Sequence, residues 1–424
     1  MKFKQQIQRF LKSPQALISA SLAITGASQV LLLLLPSSEL SKSEMANLAI
    51  WQTLVIGIGI FLSSIVSALI FSIMVTGADG SRKEASEIAT LLPNIIKLAS
   101  IILLIVAVVS QFIFKEHKAF FTLILLVSLG LALIASIQRS FYAGAGNWKA
   151  VSSQFAIDGV TRLMFLWMSL IFFAGSIDAL LISSVSAQLI SIFIPSILFP
   201  WWIGLSPTDE GMLGLLRKLT PLLMTTSGTL ALTTFAPVVL RFGQMPVQEV
   251  SLLVVILLLA RIPTTLLTPL ALPQIRQVCQ LYYQKEFRSE IHLYSKTLRW
   301  LLAGGLISAA SIWTLVENIT FASVIFDGFK HLNLSLVVLI VLVSTLFVIE
   351  GFSSSCIIGQ GRFFEAGIIY LVATAIWIPT LIFFQKDSGT ALVSIALGCI
   401  IVITGINLRI RRTDITKAHE LNVT

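Results

Sequence analysis

Five ionisable residues stand inside long apolar runs of this sequence: Lys97, Asp158, Arg162, Arg261 and Glu350. A charge at bilayer depth costs roughly 2.5–3.5 kcal/mol on insertion scales, so each one needs a partner, water or a function. Asp158 and Arg162 are four residues apart and share one helical face, where they can pair. That pair reads either as a salt bridge that makes its span affordable to insert or as part of a working site. Arg261, in VVILLLARIPTTLLTPLALP, has an apolar stretch on its N-terminal side too long for easy snorkelling, which favours a role facing a cavity. Lys97 can snorkel if its span begins late. Glu350, in TLFVIEGFSSSC, reads as a proton or cation site or as a neutral carboxyl packed beside Ser353, Ser354 and Ser355. Three cations against two carboxylates leave a positive excess that would attract an anion, and the forked guanidinium suits a pyrophosphate.

The elements that must position these residues are membrane spans. The chain has 424 residues, 56% hydrophobic and 12% charged, half the charge share of an ordinary soluble domain, which excludes a soluble enzyme. Outer-membrane barrels would show roughly ten-residue alternating segments, and none is seen. Apolar segments lie near 15–35, 46–74, 88–114, 119–142, 150–174 and 177–203, then 220–240, 247–271, 293–316, 333–358, 364–385 and 388–408. The expected fold is therefore an all-α membrane protein of about 12 transmembrane helices. The first segment ends at Pro36-Ser-Ser without a small-x-small pattern, so it reads as a retained span and not a cleaved signal.

The net charge of +9 points to loops held in the cytoplasm, not to nucleic acid. The N-terminus, the even-numbered connections and the tail hold roughly three times as many Lys and Arg as the odd-numbered connections, which places both termini in the cytoplasm. The connection 272–292 carries Arg276, Lys285 and Arg288 around YYQKEF and reads as an amphipathic helix on the inner leaflet. Prolines at 195, 200, 237, 263, 269 and 273 predict bends in spans 6 to 8. Cys279, Cys356 and Cys399 are far apart and show no metal or disulfide spacing, and nothing in the sequence calls for a metal or another cofactor.

The chain also repeats itself. Gly144-Ala-Gly146-Asn-Trp148 follows span 4, and Gly359-Gln-Gly361-Arg-Phe363 follows span 10, the same pattern 215 residues further on (from 144 to 359). Tight glycine turns at matching places in two six-span halves are what a parallel duplication would leave. The expected organisation is a six-helix bundle over 1–204, a cytoplasmic connection over 205–219, and a second bundle over 220–424 with a basic cytoplasmic tail.

The stretch Arg139-Ser-Phe-Tyr-Ala-Gly144-Ala-Gly146-Asn-Trp148, running into Ala156-Ile-Asp158-Gly159-Val-Thr-Arg162-Leu163, resembles the span 4–5 region of polysaccharide flippases. These are the O-antigen and teichoic-type exporters of the multidrug/oligosaccharidyl-lipid/polysaccharide (MOP) superfamily. The resemblance implies two bundles facing a central cavity, in the architecture shared with the multidrug (MATE) branch. It implies a flippase of the bacterial cytoplasmic membrane, without enzyme activity, moving an undecaprenyl-pyrophosphate-linked oligosaccharide by alternating access for surface polysaccharide synthesis. Lys97, Arg162 and Arg261 are the positions that would supply its cationic cavity. Asp158 or Glu350 would couple transport to H+ or Na+. Membrane lipids and a glycan polymerase or assembly protein would be partners. Two alternatives remain. A multidrug or cation antiporter of the same superfamily would favour carboxylates over arginines. A polytopic glycan polymerase or glycosyltransferase would need a larger external loop than Pro36 to Glu44 provides.

Overall fold

A computed structural model describes residues 14–76, 83–114, 118–144, 147–199, 224–225, 228–229, 231–232, 234–242, 245–318, 334–383 and 387–421. The expected connection 205–219, Pro200 and Gly146 lie outside the described residues, as does part of the expected span 220–240. The helices are α1 (Pro14–Leu34), α2 (Lys42–Thr76), α3 (Lys83–Ile113), α4 (Lys118–Gly144), α5 (Trp148–Phe173) and α6 (Ile177–Leu198). They continue as α7 (Ala236–Phe242), α8 (Val247–Tyr283), α9 (Phe287–Asn318), α10 (Leu334–Gly359), α11 (Phe363–Phe383) and α12 (Ser388–Leu421). The fold is the all-α membrane architecture expected. Among the described residues, seven helices are long and apolar enough to cross a membrane: α3 from Ile96, α4, α5, α6, α10, α11 and α12 up to Ile410.

One expectation is corrected. The stretch 272–292 holds no separate surface helix, because α8 runs on to Tyr283 and α9 begins at Phe287. Lys285, at φ 62, turns the chain between them. Arg276 and Arg288 therefore ride on α8 and α9, and Lys285 sits in the turn between them.

Local chemistry sets the helix ends. Ser41 and Glu44 form a capping box at the start of α2, with the Ser41 amide donating to Glu44 Oε2 (2.9 Å) and the Glu44 amide to Ser41 Oγ (3.3 Å). The Asn147 side chain caps α5 through the Ala150 amide. That helix stops where Ala174 (φ 48) and Gly175 (φ 66) enter the left-handed region. Asp387 and Thr390 cap α12 with reciprocal bonds between amide and side chain.

The chain divides into two compact units, Met1–Leu223 and Met224–Thr424. In the first, α5 packs on α1 and α6, while α4 packs on α2, α3 and α6. In the second, α11 packs on α12, while α10 packs on α8, α9 and α12. The same pairings thus recur in the two units. A threonine also ties neighbouring segments in each unit, at different places along the helix it reaches. Thr25 donates to the carbonyl of Phe155 (2.7 Å) in the first unit, and Thr225 to that of Phe363 (3.1 Å) in the second.

Small residues permit the closest crossings. A Cβ on Gly159 would lie 2.8 Å from the Thr25 nitrogen and 2.9 Å from the Ile24 carbonyl carbon, so α1 meets α5 backbone to backbone. Gly130, on α4, would meet nothing within 4 Å. Gly159→Ala should therefore destabilise the protein by about 1–3 kcal/mol, the cost of overpacking. Gly130→Ala should be neutral or stabilise by up to about 1 kcal/mol, through helix propensity alone. Thermal unfolding of the two purified variants checks the contrast.

Candidate functional site

In the first unit α5 carries the ion pair that its spacing predicts. Arg162 Nη2 lies 3.0 Å from both Asp158 oxygens, and Nη1 donates to Ser184 Oγ of α6 at 2.7 Å. The side chains of Arg162 and Asp158 are only 5% and 15% exposed, so the arginine charge is cancelled where it stands. Next to the pair lies a cluster of amides and hydroxyls. Gln154 Nε2 donates to Gln138 Oε1 (2.8 Å), and Gln138 Nε2 reaches Tyr142 Oη (3.0 Å) and Ser196 Oγ (2.8 Å). The Tyr142 hydroxyl in turn donates to the Phe199 carbonyl at 2.6 Å.

Arg139 is half-buried on α4, which runs past it to Gly144. Its guanidinium stacks 4.6 Å from the centre of the Phe155 ring. Lys97 stands apart from these groups. It is exposed on α3, one residue into the apolar stretch Ile96–Ile113, where a lysine can reach the interface.

In the second unit Glu350, 2% exposed on α10, accepts a hydrogen bond from the phenol of Tyr370 on α11. Among the described residues it has no ion-pair partner, in contrast to Asp158. Ser354 bonds to the Glu350 backbone carbonyl and not to the carboxylate, so the expected serine environment contributes through the main chain. Tyr370 is itself clamped, since a Cβ on Gly228 would collide with its ring. Arg261, on α8, donates from Nη2 to Thr234 Oγ1 just ahead of α7.

The Gly359-to-Gly361 turn has a packing reason. A Cβ at 359 would meet Cys279 Sγ at 2.5 Å, and Gly361 has φ 75. Its central Gln360 donates to the buried carboxylate of Glu290 (2.6 Å), while Arg362 pairs with Glu365 (2.6 Å). Gly144 closes α4 at the matching place in the first unit. Among the described residues, no group of three or more His, Cys, Asp or Glu could hold a metal ion.

Sequence spacing was enough to find the Asp158–Arg162 pair. It missed Arg139, Tyr370, Ser184, Thr234 and Glu290, although Gln138 and Gln154, amides inside apolar runs, were visible signals of a polar interior.

No protein-family model matches the chain, and no curated protein matches it. Solved structures do. The chain is similar to an inward-facing conformation of a multidrug resistance MATE family transporter of the MOP superfamily, with TM-score 0.66 and 13% identity, covering 93% of this chain and 95% of that one. An outward-facing conformation of such a transporter gives 0.59 and 14%, covering 95% and 96%. A MATE structure in the bent conformation gives 0.59 and 13%, covering 96% of each chain. At these identities the likeness establishes the fold, that of MATE transporters in the MOP superfamily. It overturns the resemblance to polysaccharide flippases, because these three near-whole-length matches are MATE structures, two of them of a multidrug resistance transporter. The physical ground for that resemblance weakens with it, since the charge of Arg162 is spent on Asp158.

Arg162→Met leaves a mostly buried carboxylate uncompensated and should cost about 3 kcal/mol. Adding Asp158→Leu should recover most of that loss, because the stranded charge is gone. Unfolding of the single and double variants measures the coupling, and additive losses would mean that the pair contributes nothing as a pair.

Proposed function

We propose that the protein is an antiporter of organic cations, including cationic drugs, that works by alternating access and is coupled to a gradient of H+ or Na+ through Glu350. The observation that carries this reading is the carboxyl of Glu350, buried in the second unit with a phenol and not a cation as its partner. Such a group can exchange a proton or a cation without first breaking an ion pair, whereas Asp158 is held by Arg162. Exchange of that kind is what coupling requires, since one carboxylate can bind the driving ion in one state and release it in the other. The naming of the similar structures as multidrug transporters supports the substrate class.

The orientation belongs to the same proposal: a bacterial cytoplasmic membrane with both termini inside. Contacts in the second unit support the up-and-down helix order that this orientation requires. The start of α8 meets the start of α12 through Glu249 and Ser388, while the start of α9 meets the α10–α11 turn through Glu290 and Gln360.

Cells lacking their own efflux systems and expressing the protein should accumulate less ethidium than control cells. Glu350→Gln should abolish the difference at equal protein level, and Tyr370→Phe should reduce it. Unchanged efflux in Glu350→Gln would remove this residue from the coupling.

A further inference from the structure

The polar groups inside the first unit exceed what one ion pair needs. From Gln154 through Asp158 and Arg162 to Ser169, they follow α5 for about 22 Å at its rise of 1.5 Å per residue. The helices α5 and α6 run antiparallel along this seam. Ser169 meets Ala179 and Ser183, Arg162 meets Ser184, and Gln138, which holds Gln154, meets Ile192 and Ser196. Gln188 falls between Ser184 and Ile192 on α6, level with the ion pair.

Three side-chain atoms on α5 and α6 are fully buried and have no hydrogen-bond partner among the described residues: Gln154 Oε1, Arg162 Nε and, on the half-buried Gln188, Oε1. Gln154 and Arg162 are 1% and 5% exposed, so bulk water does not satisfy them. Buried polar atoms of this kind are met in folded proteins by ordered water, which can donate to the two amide oxygens and accept from the guanidinium.

We propose that Gln154, Gln188 and Arg162 hold buried water molecules beside Asp158, forming a hydrated site inside the first unit. An inorganic anion fits less well, since two of the three orphaned atoms are acceptors and the third belongs to a guanidinium already paired with a carboxylate. A metal ion is opposed by the guanidinium already bound to that carboxylate. The site stands independently of the transport reading and gives the Asp158–Arg162 pair local solvent within an apolar bundle.

Two measurements on the purified full chain in detergent test it together. If Gln188 Oε1 is dry, Gln188→Leu removes an unsatisfied acceptor and raises Tm; if it holds water, the substitution strips that water from its other partners and lowers Tm by about 2–4 °C. Hydroxyl-radical footprinting by X-ray radiolysis generates radicals at bound water even where bulk solvent does not reach. Tyr142, 2% exposed and joined to the seam through Gln138, should be oxidised several-fold faster than Phe121, 1% exposed and stacked on Phe114. The Gln188→Leu variant should slow that oxidation. A raised Tm, or Tyr142 labelled no faster than Phe121, would overturn the proposal whatever the other measurement gives.

Discussion

The contact of Arg162 with Asp158 decides what α5 can be. Within hydrocarbon neither charge is tolerable alone, and together they become one neutral, directed group that also grips Ser184 on α6. Because Arg162 lies one turn beyond Asp158, the pair runs along the helix face and draws the remaining polar side chains of α4, α5 and α6 into one seam. Helix α1 then covers another part of α5, where Gly159 lets the two backbones meet. The interior of the first unit is thus polar along one line and closely packed beside it.

The second unit meets the same constraint differently. Its buried carboxylate takes a phenol for a partner, and its half-buried Arg261 guanidinium takes a threonine hydroxyl among its contacts. Hydrogen bonds of this kind satisfy geometry without fixing charge, so Glu350 is not tied to a cationic side chain as Asp158 is. Two halves with the same helix pairing therefore carry unlike electrostatic interiors. The divergence lies in a few side chains, since Phe155 and Tyr370 stand at matching distances along the two halves yet only the second presents a hydroxyl to a carboxylate.

Composition and apolar periodicity made the membrane class and the helical fold legible, because lipid imposes length and polarity on every span. The Asp158–Arg162 pair was legible because both partners sit on one helix at a fixed spacing. Partners contributed by other helices, such as Ser184, Thr234 and Tyr370, were not, since helix rotation is set by packing that a sequence does not display. The same gap misdirected the substrate argument. Counting three cations against two carboxylates treated Arg162 as available, whereas its charge is already cancelled and Lys97 stands exposed at the margin of its span. The surface helix expected around YYQKEF failed for a related reason: a polar, basic stretch marks the end of lipid, not the end of a helix.

The most direct test of the account is exchange in proteoliposomes that contain the purified chain, with ethidium on one side and a pH or Na+ gradient imposed across the membrane. The account predicts ethidium movement opposite to the ion, reversal when the gradient is reversed, and loss of both in Glu350→Gln. Ethidium movement that is absent, or that ignores the direction of either gradient, would contradict it.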